Sequence, residues 1–372
     1  MATFKGLYDG RLMRGSRAAI KDVLAAKKDE KILIVTNPER DVREISMSVY
    51  DAALEIEARP VLVFQTRKTQ FDNAEDSVIK AIESQPDVAI SISDEKLGKD
   101  RWGLKKPYKG KKRSYSHIFD MLYEERRFRT FWSPGVTRDM WARTVPIDYS
   151  RLRYDVAKVI SLLSKSDDVT VTAPGGTNIT IDIRGRIHRP DDGDVSKPGK
   201  AANLPSGEVY SSPVVGKTNG VIAFDGSIAL AENEIMIKTP IRCSVSDGFI
   251  VDISGGKDAE LLHGSIKMGE ERARKMGRAG ELKPKNAVSF ARNARHIGEL
   301  GIGLNRKARI IANVLEDEKV YGTCHFAVGS NYDGDADALI HLDGLVKKPT
   351  ITGREKSGRE HQIMVEGKLV WD

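Results

Sequence analysis

Two histidines, a tyrosine and several carboxylates crowd into one short run, Gly322 to Asp343, GTCHFAVGSNYDGDADALIHLD. His341 and Asp343 flank Leu342 and follow Leu339-Ile340, so on a β-strand an imidazole and a carboxylate share one face. A second strand-like run, Val320 to Val328, carries His325, and the Gly, Asn and Asp-rich link between the runs, Gly329 to Asp337, reads as a loop. The two strands can bring His325 beside the His341/Asp343 pair. Imidazole and carboxylate suit zinc, manganese, cobalt or ferrous iron, and the residue types do not choose among them. The plainer alternative for H-x-D on a strand is a structural hydrogen-bonded pair.

Two glutamates stand where they could complete such a site. Glu208 follows the bend Asn203-Leu204-Pro205-Ser206-Gly207 at the start of a strand, and Glu299 sits among glycines and apolar residues in HIGELGIGLN. A buried carboxylate needs a partner, and a cation provides one. The competing readings are a salt bridge to a nearby arginine for Glu299 and plain turn chemistry for Glu208. His296, three residues before Glu299, reads as a residue outside the ligand set, behind the ligands or at the surface.

The elements that must position these groups fall into two textures. Up to Lys165 helices alternate with apolar strands: helix Ala18 to Lys28, strand Glu30 to Pro38, helix Val42 to Ala58, strand Pro60 to Gln65, helix Asp76 to Ser84, strand Asp87 to Ser93. That alternation predicts a parallel α/β sheet, Rossmann-like in architecture. The turn Thr36-Asn37-Pro38-Glu39 has no glycine fingerprint, which argues against a dinucleotide. Helices follow at Ser116 to Arg129 and Asp148 to Ser164. Beyond them come short strands and glycine turns, such as Asp168 to Ala173 and Asn178 to Ile183 around Pro174-Gly175-Gly176-Thr177, and helices at Asp258 to Met276 and Pro284 to Ala294. The fold class expected is α/β: a Rossmann-like parallel-sheet domain, 1–165, and a mixed, largely antiparallel α+β catalytic domain that binds metal, 166–372.

The 372 residues, 40% hydrophobic and 30% charged, describe an ordinary globular protein. No apolar run nears the ~20 residues of a membrane helix, and MATFKGLYDGRLMRG lacks a signal-peptide core, so no membrane partner and a cytoplasmic location are expected. Cys243 and Cys324 form no metal-binding pair and no disulfide framework; Cys324, next to His325, should face away from the site. Net charge is +7, much of it in KDRWGLKKPYKGKKRSY, Lys99 to Tyr115, with Trp102, Tyr108 and Tyr115 interleaved. Such a run could track a nucleic acid, but its glycines and proline read better as a solvated surface loop, so nucleic acid is an unlikely partner.

The motifs NLPSGEVY, GELGIGLN, EDEKVYGTCHFAVGSNY and IHLDGLVKKPTI, in that order, resemble the aminopeptidase T and aminopeptidase S family of thermophilic metallopeptidases, from about Asp168 to the C-terminus. The resemblance implies a Rossmann-like first domain, a homodimer, and two divalent ions (Zn, Co or Mn) held by Glu208, Glu299, His325, His341 and Asp343. It further implies Tyr332 as the active-site tyrosine, Glu299 as the proton-transferring carboxylate, and hydrolysis of a peptide substrate from its N-terminus by a metal-activated water. Where many members carry a glycine pair and a serine, this chain has DGDADAL, whose acids read as solvated. The fold also resembles the iron-dependent 2,5-dihydroxypyridine ring-cleaving dioxygenases, which share the closing H-x-D but place a histidine at Glu299 and a serine at His325. Those two differences favour the hydrolase expectation, with the non-haem iron dioxygenase as the alternative.

Overall fold

A computed structural model describes residues 3–69, 72–111 and 113–372. The chain forms two compact units: Met1–Arg153 with Asp191–Ser206, and Tyr154–Pro190 with Gly207–Asp372. The division therefore falls ahead of the expected position at Lys165, and the chain crosses it more than once. The reason is a late strand, Ala201–Asn203, that returns to extend the first sheet.

In the first unit, strands β1 (Lys31–Thr36), β2 (Arg59–Phe64), β3 (Val88–Ile92), β4 (Arg129–Trp132) and β5 (Ala201–Asn203) make one parallel sheet in the order β5-β4-β3-β1-β2. Residues Ile32 to Val35 and Val88 to Ile92 are buried throughout, as strands covered on both faces must be. The helix Arg40–Glu55 covers the sheet with Val42, Ile45, Val49 and Ala52, one stripe at helical spacing. At the β1/β3 crevice, where an order of this kind usually binds ligands, Asn37 donates through Nδ2 to the carbonyls of Gln65 (3.1 Å) and Thr66 (3.3 Å) and accepts from Asp94 N (2.8 Å). Its side chain holds the turn closed where a glycine-rich loop would have left room.

Three expectations shift here. The opening helix starts earlier, at Leu12, passes into a π turn at Ala19–Val23 and ends before Ala25, whose φ is 47°. The predicted helix Ser116 to Arg129 is shorter, Ile118–Glu124, and its last residue, Arg129, already begins strand β4, too short to show a period. The basic run is folded, with a short helix Arg101–Lys105 and paired strands Tyr108–Lys109 and Ser114–Tyr115; Arg101 pairs with Asp76 and Arg113 with Glu124. Lys112 of that run lies outside the described residues.

The second unit holds an eight-stranded and a seven-stranded sheet. In the eight-stranded sheet the hairpin Asp168–Thr172/Asn178–Asp182 pairs with the near-terminal strand Thr350–Arg354. The seven-stranded sheet contains β6 (Glu208–Ser211), β7 (Ile297–Gly303), β8 (Thr323–Gly329) and β9 (His341–Lys347), all antiparallel and adjacent in the order β9-β8-β7-β6. The α/β class with parallel and antiparallel sheets is thus the fold observed. Among the described residues, no helix is long and apolar enough to cross a membrane.

Candidate metal centre

Each of the four adjacent strands contributes to one cluster. β6 supplies Glu208, β7 Glu299, β8 His325, and β9 both His341 and Asp343. Register brings them together: Glu299 pairs with Ala327, which pairs with Asp343; His325 pairs with Gly301; Glu208 pairs with Gly303. Opposed residues on antiparallel strands share a face. Gly301, Gly303, Ala327 and Gly329 therefore lie between the clustered side chains as small residues. The alternation of glycine in GELGIGLN makes space, and at Gly301 the requirement is strict: a β-carbon would fall 2.0 Å from His325 Nε2.

Glu299 is the hub. Its Oε1 lies 3.2 Å from His325 Nε2 and its Oε2 3.3 Å from His341 Nε2. His341 Nε2 also lies 3.3 Å from Asp343 Oδ1, and His325 Nε2 3.5 Å from Glu208 Oε2. Ligand atoms of Glu208, Glu299 and His325, and separately of Glu299, His341 and Asp343, lie within 4.8 Å of one another. His341 donates from Nδ1 to the Ser330 carbonyl at 2.9 Å, which fixes the ring and aims Nε2 into the cluster. Asp343 Oδ1 and His325 Nδ1 are buried and make no hydrogen bond. The acid-rich set, with Asp343 Oδ1 buried and facing only His341 Nε2, fits a divalent first-row cation.

Electrostatics bind the cluster together without one. Burial pushes the Glu299 carboxyl up, but hydrogen bonds from His325 and His341 outweigh it and hold it below its usual range. Burial likewise disfavours the charged form of Asp343, yet the fields of His341 and His325 bring it down to about 2. Burial lowers His325, but its bond to Glu299 and the nearby carboxylates raise it to about 9; His341 rises well above its ordinary value for the same reasons.

Other residues were not legible as site residues. Lys319, 1% exposed, sets Nζ 2.6 Å from Glu208 Oε1 and 2.7 Å from Glu318 Oε1. Burial raises Glu318 to about 8. Arg186 pairs with Asp333 (3.1 Å) and Asp335 (2.8 Å), and Arg189 with Asp333 (2.6 Å), so Asp333 is pinned and largely covered, while Asp335 is paired but still exposed and Asp337 is exposed as expected. The pinned loop presents Tyr332, whose backbone N–H donates to Ser212 Oγ and whose half-exposed ring lies 5.1 Å from His341 and 5.3 Å from Tyr210. His296 is no surface residue: it is fully buried against the Phe249 ring at 5.4 Å, and burial lowers it to about 4. Cys243 and Cys324 are free and buried.

A family model described as NicX, 2,5-dihydroxypyridine 5,6-dioxygenase, matches residues 137–353, more than half the chain and every residue of the cluster. The chain belongs to the 2,5-dihydroxypyridine 5,6-dioxygenase family. Among solved structures it is similar to a 2,5-dihydroxypyridine dioxygenase from Pseudomonas putida, at TM-score 0.68 and 14% identity over 97% of each chain. It is also similar to AmpT from Thermus thermophilus, at TM-score 0.64 and 14% identity over 97% of this chain and 99% of that one. Identities so low show a shared fold. No curated protein matches.

Membership in the dioxygenase family overturns the aminopeptidase expectation, and the hydrolase and protease descriptions fall with it. What misled was the ligand set: Glu299 and His325 stand where the dioxygenase resemblance placed a histidine and a serine. The alternative drawn from the shared H-x-D is the one the family match supports.

Proposed function

We propose that this chain is a metal-dependent ring-cleaving dioxygenase acting on a small hydroxylated pyridine of the 2,5-dihydroxypyridine type. The observation that carries the reading is the family match across the whole cluster, residues 137–353. Glu299, His341 and Asp343 would hold the ion, with His325 and Glu208 adjoining. A redox-active ion supplies, when bound, the electron exchange that the reaction of a ring with dioxygen requires. In the overall reaction the 5,6 carbon–carbon bond breaks and both atoms of dioxygen enter the product.

The chain's own groups have defined tasks in this reading. The Tyr332 phenol, on a ring 5.1 Å from that of His341, can donate a hydrogen bond to an anionic substrate oxygen. Its ring and that of Tyr210 provide apolar surface for a planar substrate. Glu299, hydrogen-bonded to His325 and held below its usual range, stays a carboxylate and so serves as a charged support for the ion.

The test is anaerobic loading with Fe²⁺, then oxygen uptake and loss of pyridine absorbance on adding 2,5-dihydroxypyridine, with ¹⁸O₂ to follow both atoms into the product. Metal-dependent uptake with double labelling is expected. No uptake by protein shown to contain stoichiometric Fe²⁺ would overturn this substrate and reaction.

A further inference from the structure

The first unit has a cavity of its own, lined by none of the clustered metal-site residues. Asn37 closes the β1/β3 crevice of the parallel sheet, but at the carboxyl ends of β3 and β4, the edge at which such sheets meet ligands, a cavity of about 420 Å³ opens. Small-molecule sites span about 300–1,000 Å³. Strand alternation makes the space. Ala89 and Ser91 share one face of β3, and Ser93 follows in the same alternation. Ala89 packs in the core with Ile118, Leu122 and Phe128, whereas the two serines beyond it line the cavity and leave it room. Phe119 and Trp132, edge to face at 6.4 Å, form an apolar wall.

The polar groups on this wall divide into those already engaged and those left free. His117 accepts the Phe119 N–H at Nδ1 (3.1 Å) and donates from Nε2 to the Gly98 carbonyl (3.2 Å), so both of its nitrogens are used. Glu95 is held by Arg67, and Lys99 also has a partner. Ser91 and Ser93 are 5% and 4% exposed, and among the described residues neither hydroxyl makes a hydrogen bond. Lys96 and Asp120 are exposed at the rim, and among the described residues neither forms an ion pair, with the other or with a third group.

We propose that this cavity binds a small aromatic zwitterion of the α-amino acid type, its ring against Phe119 and Trp132, its carboxylate at Lys96 and its ammonium at Asp120. Two aromatic rings set edge to face offer a third ring both of its preferred contacts. A zwitterion answers both unpaired charges at once, where an aromatic acid would face Asp120 and an aromatic amine would face Lys96. The serine hydroxyls can each donate and accept, which suits a ring that carries an N–H or a hydroxyl, as indole and phenol do. The site does not depend on the reaction proposed above.

Titration calorimetry of the full chain with L-tryptophan is the test, on protein as purified and after EDTA, because a free amino acid also chelates an accessible ion. One site per chain is expected, with the same affinity in both preparations. Indole-3-propionate lacks the ammonium and tryptamine lacks the carboxylate, and each should bind about fivefold more weakly. Asp120→Asn should weaken L-tryptophan by about fivefold without weakening indole-3-propionate; Lys96→Met should weaken it equally and spare tryptamine. Both side chains are exposed, so these variants should fold as the parent does. No binding of L-tryptophan, binding lost with EDTA, a singly charged analogue as tight as the amino acid, or variants that bind as the parent does would each overturn the proposal.

Discussion

His325 lies flat against the backbone of Gly301, its cross-strand partner, with Nε2 where a β-carbon would come within 2.0 Å. Gly301→Ala must displace the ring and loosen its hold on Glu299. We expect Mn²⁺ affinity to fall by about 10–100-fold, the usual effect of disturbing a group that orients a ligand, and stability to fall by roughly 1–3 kcal/mol from overpacking. Gly264, on the exposed face of the helix Gly256–Arg278 with open space around it, is the control. Gly264→Ala should raise stability by about 1 kcal/mol and leave metal binding alone. Titration calorimetry and thermal melts decide both.

The pH dependence of the metal-free protein follows from His325, raised from an ordinary 6.5 to about 9. A group whose folded value is raised stabilises fully below its unfolded value and loses that contribution as pH rises through the folded one. The metal-stripped protein should therefore melt at lower temperature as pH climbs from about 6.5 to 9. Metal binding displaces the proton from His341, whose ring is raised well above its ordinary value, so affinity should rise with pH and calorimetry in buffers of different ionisation enthalpy should register proton release. A flat melting curve for the stripped protein would contradict this.

Tyr332 and Asp343 should separate cleanly. Tyr332→Phe removes a donor and no ligand, so metal content should be unchanged while kcat drops by about 100-fold. Asp343→Asn removes a charged ligand and should cost more than the ~100-fold in affinity of an outer-shell change. Loss of metal in Tyr332→Phe would mean that the phenol helps to hold the ion.

Arg186, in the connection between the strands Asn178–Asp182 and His188–Asp191, holds Asp333 and Asp335 of the Tyr332 loop, its side chain only 12% exposed. Arg186→Ala leaves both acids short of a partner and should cost roughly 1–3 kcal/mol. The loosened loop should raise KM for the pyridine more than it lowers kcat.

Much of the site was readable because it is built from local strand alternation. Glu208, Glu299, His325, His341 and Asp343 each sit on a strand beside glycine or apolar residues, and the structure brings all five together. Lys319 was not readable, since an isolated lysine after three acids looks like surface and only the fold shows it 1% exposed. Arg186 and Arg189 pair with acids more than 140 positions away, and no local pattern encodes such a meeting. In the fold, β4 escaped by its brevity, and β5 by lying so far along the chain from the sheet it joins. The reaction class was the largest miss: the same residue types serve hydrolysis and oxygenation, and the motif order followed the shared fold.

Across the four ligand-bearing strands, the cluster runs at right angles to the chain direction, from β6 through β7 and β8 to β9. Backbone ladders join those ribbons pair by pair, each to its neighbour alone. A seated ion held by Glu299 and by His341 with Asp343 would act as a transverse rivet from β7 to β9, and hydrogen exchange in those strands and in β8 between them would slow together.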